Sequence, residues 1–463
     1  MQLKKFKDFA DSLLPLEVAI LTAKSQFKDK ERQEIFEVVT HNSLSENHRS
    51  YNIQINKRKY SHLMNWMQTR LDECCTDIYY ERLNEIDIMI SSDNIGTEEE
   101  DLLLKLIKDY KPHHFHFIRF YEVVKSYLNF LLVRVRLNDY EMIRSFIHEF
   151  HDDYVRCKDL HDRMTSCASD VIRDYHNKRI TRNSLRWINW LRKNLDDNSI
   201  DGQNQYQCLV LMSYLALMDD SLIQEVLHAY DHIEEEVKSG HMYSRKLLIN
   251  FYGNKQLLLM KQRKHNLALY YGELSIRHKG PDYVMYLNNY SFNLLKLGQA
   301  PEALSIMKES LADVKYMRNR YNRSVFISSM IKCYNDNGMF PMAERYAENQ
   351  LDRYEKDILE HNWYLFFRSI AETLIYLNNY SKLKKIIKKY QLIERESAFL
   401  NDYKGFAYFN WFMLLIRCKN GQLTEKKLLD TINKERDRML STFGITPSEN
   451  VLKLIDHSLK QAV

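Results

Sequence analysis

The sequence predicts an all-α protein, an α-solenoid of stacked helical hairpins, from three observations. The 463 residues include only 11 glycines and 6 prolines, which is too few for a fold with many turns. Apolar residues recur every three or four positions over long stretches, as in amphipathic helices. In the second half of the chain, the scarce helix breakers return at an interval of 40 residues. These features together favour long helices joined by short turns.

The clearest turn lies in the stretch "KLGQAPEAL". Gly298 can end one helix in the left-handed conformation, and Pro301 suits the first turn of the next helix because it needs no N–H there. The same pair returns 40 residues later as Gly338 and Pro341. After 40 more residues, Asn378 takes the glycine position, and Asn tolerates the left-handed conformation next best. We therefore predict three helix-turn-helix joints in register.

Apolar residues mark one face of each helix beside Gly298. Before the glycine they are Leu287, Tyr290, Leu294 and Leu297, and after it they are Ala303, Leu304, Met307 and Leu311. A hairpin of two such helices leaves apolar surface uncovered, so it must stack on a neighbouring hairpin.

This pattern resembles the tetratricopeptide repeat, a helical hairpin of about 34 residues. Leu287, Tyr290 and Ser291 stand where that family favours Trp, Leu and Gly, and the spacing here is longer. The resemblance implies a tetratricopeptide-like solenoid. Its hairpins are predicted at 111–153, 160–195, 205–238, 245–277, 283–316, 322–356, 362–392 and 403–438.

Weaker turn signals extend the array in both directions. Asn138 stands between two apolar-periodic segments, and the Asp-Asp-Ser of "LMDDSLIQEVL" does the same. The other two turn signals are the His-Asn of "RKHNLALYY" and the Asn-Gly of "KNGQLTEKKLL". Such residues favour turns because they tolerate unusual backbone angles or bond to nearby backbone.

The repeat signal fades towards the N-terminus, so we predict a mainly helical N-terminal region at 1–100 and the solenoid at 101–463. The boundary lies in "SSDNIGTEEED", where Thr97 is expected to cap a helix and the three glutamates after it favour the positive helix end. "HRSYNIQI" predicts an extended connector or a short strand. "TPSENVLKLIDHSLKQ" predicts a C-terminal capping helix.

Motifs for catalysis are missing from the sequence. Phosphate loops, dinucleotide fingerprints and nucleophile elbows need closely spaced glycines between a strand and a helix, and no such stretch occurs. The histidines of "KPHHFHFIRF", which are His113, His114 and His116, have no second ligand cluster at a zinc-like spacing. We therefore predict that the protein is not an enzyme and uses no metal or other cofactor.

Composition also bears on location. No stretch approaches 18 uninterrupted apolar residues, and charged residues interrupt the N-terminal segment. The seven cysteines form no CxxC pair, which favours reduced thiols. These observations predict a cytoplasmic protein without a membrane partner.

Charge leaves a second functional class open. The 67 basic and 62 acidic residues give a net charge of only +5, so no global field for nucleic acid is implied. Three stretches nevertheless mix basic with aromatic residues, at 177–187, 316–323 and 382–390. Arg and aromatic side chains can hold phosphates and stack bases, so binding of RNA or DNA is the alternative to protein binding.

The resemblance implies a concave face formed by the first helix of each hairpin. In the repeat register, five residues should project there: Asn254, Asn289, Phe292, Lys332 and Arg368. Related repeats hold a peptide backbone with Asn amides and carboxylates with Lys or Arg, which suits the chemistry of both groups.

The predicted function is a non-catalytic scaffold or regulator that binds a protein or peptide on this concave face. One variant resembles bacterial regulators in which such an array senses a signalling peptide and an N-terminal helical region carries the output. The partner, the pathway and the oligomeric state stay open at this point.

Overall fold

The computed structural model describes residues 3–45, 47–110, 115–176, 180–197, 199–315, 317–402 and 405–460. Within these ranges the protein is helical and has no β-strand, apart from an isolated bridge between Cys75 and Tyr243. The prediction of an all-α protein is confirmed. The helices pack in neighbouring pairs, which is compatible with a helical repeat.

Contacts divide the chain into two compact units. Unit 1 contains the residues up to Lys264 together with Glu273–His278. Unit 2 contains His265–Gly272 together with the residues from Lys279 onward. The boundary near residue 100 stays a prediction.

The helices of unit 1 are α1 (Lys4–Asp11), α2 (Pro15–Lys24), α3 (Lys30–Leu44), α4 (Lys57–Asp72), α5 (Thr76–Ser91), α6 (Thr97–Lys108), α7 (Phe117–Val133), α8 (Leu137–Glu149), α9 (His151–His176), α10 (Arg182–Leu195), α11 (Gly202–Met218), α12 (Ile223–Ser239) and α13 (Arg245–Lys261). A 3-10 turn precedes α12 at Asp220–Leu222, and α14 (His265–Ile276) has residues in both units.

The helices of unit 2 are α15 (Tyr283–Lys296), α16 (Ala300–Glu309), α17 (Leu311–Lys315), α18 (Arg320–Asp336), α19 (Phe340–His361), α20 (Trp363–Tyr376), α21 (Tyr380–Lys389), α22 (Leu392–Asp402), α23 (Tyr408–Lys419), α24 (Glu425–Phe443) and α25 (Glu449–Lys460).

The first four helices pack against one another through aromatic side chains. The ring of Phe6 meets that of Tyr60 edge-on at 4.9 Å, and Phe27 meets Trp66 at 4.7 Å. The stretch "HRSYNIQI" forms a connector with a turn instead of a strand, and the Tyr60 hydroxyl donates to the carbonyl of Asn52 in it at 2.8 Å. The extended connector is thus confirmed.

A buried carboxylate ties α2 to the start of α13. The Glu17 side chain is fully buried, and Arg245 donates to both of its oxygens at 2.7 and 3.0 Å. The Tyr243 hydroxyl donates at 2.7 Å and the Leu14 N–H at 2.9 Å. Both carboxylate oxygens therefore accept hydrogen bonds, and the charge is paired with a cation, as a buried carboxylate requires.

Helix starts are satisfied by side chains in several places but not at α6. Asp201 and Ser244 cap α11 and α13 by accepting backbone N–H groups. The predicted cap of α6 was wrong, because Gly96 is the capping residue and Thr97 already lies inside the helix. The three glutamates of the first turn are confirmed.

Two turns of unit 1 differ from the predicted ones. Asn138 lies inside α8, and the residue with left-handed backbone is Val135, with φ +56°. His265 begins α14, and the left-handed residue before it is Arg263, with φ +61°. The turns exist near the predicted places, but residues that disfavour this conformation form them.

The turns of unit 2 confirm the prediction. Gly298, Gly338 and Asn378 have left-handed backbone, with φ +77°, +70° and +56°. They join α15 to α16, α18 to α19 and α20 to α21, and Pro301 and Pro341 stand in the first turns of α16 and α19. Three hairpins therefore stand at the predicted 40-residue interval.

Side-chain amides link the first helices of these hairpins. α15 packs on α18, and α18 packs on α20. The Asn288 amide donates to the carbonyl of Asn322 at 3.2 Å, and Asn335 donates to the carbonyl of Ser369 at 2.9 Å. Thr373 closes the second link by donating to the Asn335 side chain at 2.8 Å. The buried amide groups of Asn288 and Asn335 thus donate to the neighbouring helix.

The C-terminal part of unit 2 contains an additional helix. α22 lies between the hairpins predicted at 362–392 and 403–438, where only a connection was expected. The terminal helix is confirmed as α25, and its principal packing partner is α20, a helix of the hairpin predicted at 362–392.

Candidate functional site

The candidate site is the surface formed by α15, α18 and α20 in unit 2, which we call the first-helix surface. It carries Asn289, Phe292, Lys332, Arg368 and Glu372. Phe292, Lys332 and Glu372 stand 40 residues apart on the three successive helices. Four of the five residues predicted from the sequence therefore lie on neighbouring helices of one unit.

Asn289 and Phe292 lie one turn apart on α15. The Phe292 side chain is 46% exposed, and the Lys296 ammonium lies 5.3 Å from the centre of its ring. Asn289 is half-buried, and no hydrogen bond joins its amide to another residue that the structure describes. Its neighbour Asn288 is the buried one and makes the link to α18. Asn289 and Phe292 thus offer a free amide and an open ring.

Lys332 already holds carboxylates of its own chain. Its ammonium lies 2.6 Å from Asp336, 3.0 Å from one oxygen of Glu372 and 3.2 Å from the other. Burial alone would lower the pKa of Lys332, but the charges of Glu372 and Asp336 outweigh it and raise the pKa. Lys332 is therefore paired inside unit 2 and cannot bind a carboxylate of another molecule without leaving Asp336 or Glu372.

Arg368 has a different environment. Its guanidinium lies 4.9 Å from the centre of the Tyr408 ring, and its side chain is half-buried on α20. Over the described ranges, no carboxylate comes within ion-pairing distance of it. A guanidinium presents a planar fork of donors that matches a carboxylate. Arg368 is thus a cation with its donors still open.

Asn254 lies in unit 1, on α13. Its amide donates to the side-chain oxygen of Asn250 at 3.0 Å, and that oxygen also accepts the Tyr206 hydroxyl at 2.8 Å. Asn254 therefore belongs to a polar group internal to unit 1, and its role in binding stays a prediction.

A cleft of about 320 Å³ opens beside the Lys332 ion pairs. Asp336, Glu372 and Tyr376 form one wall, and Asn450 and Lys453 of α25 form another. Sequence reasoning missed the acidic residues and the tyrosine, although they follow the register: Asp336 and Tyr376 stand 40 and 80 residues after Lys296.

In the basic stretch at 382–390, two of the five lysines lie beside acidic side chains. Lys382 contacts both Glu344 and Glu348 on α19. Lys389 lies 2.8 Å from the Tyr390 hydroxyl and 3.8 Å from Glu355. These lysines lie on the second helix of their hairpin, as predicted. Acidic neighbours reduce the positive field that a phosphate backbone would need.

Some arginines of the other two basic stretches also pair with acidic side chains. Arg320 and Arg323 both face Asp357, at 3.8 and 3.4 Å. Arg186 pairs with Asp170 at 3.1 Å, while residues 177–179 of the same stretch lie outside the described residues.

Unit 1 has a larger and more apolar cleft of about 660 Å³ between α2 and α3. Phe27, Phe36 and Leu44 line it, with Thr22 and Gln33 at its polar edges. Leu44 is 69% exposed. This cleft is the alternative place for an apolar ligand.

Of the three clustered histidines, the structure describes only His116, since His113 and His114 lie outside the described residues. His116 is buried, and its Nδ1 lies 3.2 Å from the side-chain oxygen of Gln203. Burial lowers its pKa. Elsewhere in the described part, no three His, Cys, Asp or Glu side chains are grouped as metal ligands would be.

In the part of the chain that the structure describes, no helix combines the length and the apolar character needed to cross a bilayer. No protein-family model matches the chain, and no curated protein matches it either. Its function must therefore be inferred from its own side chains.

Proposed function

We propose that the protein is a non-catalytic scaffold or regulator that binds a protein or peptide segment on the first-helix surface of a tetratricopeptide-like solenoid. The three hairpins of unit 2 support the solenoid, because their first helices are successive neighbours and their turns share one register. Such stacking produces an extended surface suited to a chain in extended or helical form.

One observation carries this proposal: the first-helix surface holds polar groups that the protein itself leaves unused. Asn289 keeps a free amide and Arg368 keeps open donors, whereas Lys332 beside them is paired. Phe292 adds an exposed ring. An amide matches a peptide N–H and C=O, a guanidinium matches a carboxylate, and an aromatic ring supplies apolar area.

The test uses a library of short random peptides with free C-terminal carboxylates, selected for binding to the full chain. In the variant Asn289→Ala/Arg368→Ala, affinity for the selected peptides should fall tenfold or more, because the lost charged hydrogen bond of Arg368 alone contributes about 1.5–3 kcal/mol. Lys332→Ala is expected to reduce stability instead, since it leaves Glu372 unpaired.

The matched control reverses Lys382, Lys385 and Lys389 to Glu, on the second helix of the same hairpin. Peptide affinity should persist in this variant. Equal affinity of the Asn289/Arg368 variant and the unchanged chain would contradict the proposal. Steeply salt-dependent RNA or DNA binding that only the lysine variant loses would favour the nucleic-acid alternative.

The proposal includes a cytoplasmic location. All seven cysteines are free thiols, and none of them stands in a CxxC pair. Free thiols suit a reducing compartment. In a regulator of this kind, residues 1–100 would carry the output.

A further inference from the structure

The last helix, α25, presents an apolar stripe to unit 2. Val451, Leu454 and Ile455 are buried, at the spacing of one helix face. The opposite face is charged, and its ion pairs are internal to the helix: Lys453 pairs with Glu449 at 2.7 Å and Lys460 with Asp456 at 2.6 Å. The apolar stripe therefore packs on unit 2, while these two ion pairs of the charged face lie within α25 itself.

Three tyrosines form the surface under α25, which we call the tyrosine groove: Tyr376, Tyr380 and Tyr408. The Tyr376 ring lies 5.2 Å from that of His457, and the Tyr380 hydroxyl lies 2.6 Å from that of Ser458. Tyr408 accepts the Ser448 N–H at 2.7 Å. Tyrosine combines apolar area with a polar tip, which is why it is enriched in protein interfaces.

The connection to α24 allows α25 to separate from this groove. Residues 444–448 form no helix, and Gly444 has left-handed backbone with φ +67°. Gly444 is exposed, and a side chain at its position would meet no atom within 4 Å. The chain can therefore change direction at Gly444 without disturbing a packed neighbour there.

α25 also reaches the proposed binding surface. Asn450 and Lys453 line the same cleft as Asp336 and Glu372, and Glu372 belongs to the first-helix surface. A segment bound along that surface towards α20 would meet the beginning of α25.

We propose that α25 is a displaceable occupant of the tyrosine groove, and that the partner of unit 2 is an amphipathic helix with apolar side chains spaced as in Val451, Leu454 and Ile455. The partner helix takes the place of α25 by the helix-in-groove mode of recognition. This inference rests on the proposed function, because α25 covers one end of the same surface.

The experiment uses the full chain with Leu454→Asp/Ile455→Asp, which removes the apolar stripe and should release α25. The probe is a fluorescein-labelled peptide with the sequence of residues 446–460. It should bind this variant at least tenfold more tightly than the unchanged chain, where α25 competes. The same peptide with both Asp substitutions should not bind, and Asp456→Ala on the exposed face should behave like the unchanged chain.

Equal affinity for the variant and the unchanged chain would overturn the proposal. Hydrogen exchange in the unchanged chain tests it without any substitution. The amides of α25 should exchange through local opening, at least tenfold less protected than those in the middle of α18 and α20. Equal protection would show that α25 opens only with global unfolding, and that also overturns the proposal. Neither result depends on Arg368, so the random-peptide test of the proposed function keeps its own outcome.

Discussion

Two sets of helix turns use left-handed backbone differently. The joints of unit 2 that share the 40-residue interval place it on Gly298, Gly338 and Asn378, residues that adopt it at little cost. The turns of unit 1 before α8 and α14 place it on Val135 and Arg263, for which it is unfavourable. Local sequence thus specifies the three joints of unit 2, whereas the packing of the flanking helices must impose the turns at Val135 and Arg263.

The buried glutamates Glu17 and Glu396 also differ, in how their charge is matched. In unit 1, Glu17 is matched by a cation, Arg245. In unit 2, Glu396 is 1% exposed and accepts the N–H of Phe409 at the start of α23, at 2.9 Å. Burial raises its pKa to about 8, and the nearby carboxylate of Glu435 adds to the effect. Glu17 is therefore a buried carboxylate paired with a cation, whereas Glu396 is a buried carboxyl group that prefers to be neutral.

The largest effect should come from breaking the Glu17 pair. Arg245→Ala leaves a buried carboxylate without its cation, so we expect a loss of about 3 kcal/mol in the free energy of unfolding. Chemical denaturation measures it. The neighbouring Lys246 is exposed, and Lys246→Ala should change stability by less than about 0.5 kcal/mol. A similar small change for Arg245→Ala would remove the contrast with Glu396.

The next effect is a pH dependence from Glu396. Its pKa rises from about 4.5 in the unfolded chain to about 8 in the folded one, so the folded state binds the extra proton between these values. Stability should therefore fall as pH rises through this window, by at most about 1.4 kcal/mol per pH unit from this group. Denaturation at pH 5 to 9 should show a flatter profile for Glu396→Gln. The exposed Glu394→Gln on the same helix should keep the original profile.

A smaller effect tests the turns of unit 2. Gly298→Val should cost about 1–2 kcal/mol, because valine in the left-handed conformation is strained. No atom lies within 4 Å of the position that the new Cβ would take, so backbone strain is the only expected cause. Thermal melting of this variant beside Gln299→Ala, which should be nearly neutral, measures the difference. Equal melting temperatures would argue against the joint.

The smallest effect has the opposite sign and tests unit 1. Val135→Gly should stabilise the protein by about 0.5 kcal/mol, because relief of strain exceeds the entropy cost of glycine. The Val135 side chain is 73% exposed, so little packing is lost. Val133→Gly, two residues earlier at the end of α7, should instead destabilise by about 0.5 kcal/mol. Destabilisation by both changes would mean that Val135 is not strained.

Whether residue type agrees with the backbone conformation at a turn also explains which turns the sequence could predict. The joints at Gly298, Gly338 and Asn378 were predictable because residue type and backbone conformation agree there. Val135 gave no such signal, since a β-branched residue argues against the conformation that it adopts. α22 was missed because Glu396 anchors it to α23, a tertiary contact that no local pattern contains.

The sequence allowed a prediction of the helices that carry the candidate site residues, but not of the partners that these residues have in the structure. The repeat register located Lys332 on a first helix, and the structure confirms that helix. Its carboxylate partner Glu372 stands one interval later in the sequence, yet the lysine was assigned to an external carboxylate. Which charges satisfy one another depends on the distance between helices, and sequence spacing alone does not give it.

The amide links between first helices have a mechanical consequence. Asn288 bridges α15 to α18, and Asn335 bridges α18 to α20. Because α18 is fastened on both sides, peeling away one hairpin under tension must break links to its neighbour in the same step. When unit 2 is stretched from its ends in a force experiment, its hairpins should unfold together in one rupture. Gradual extension, with hairpins unfolding one at a time, is not expected.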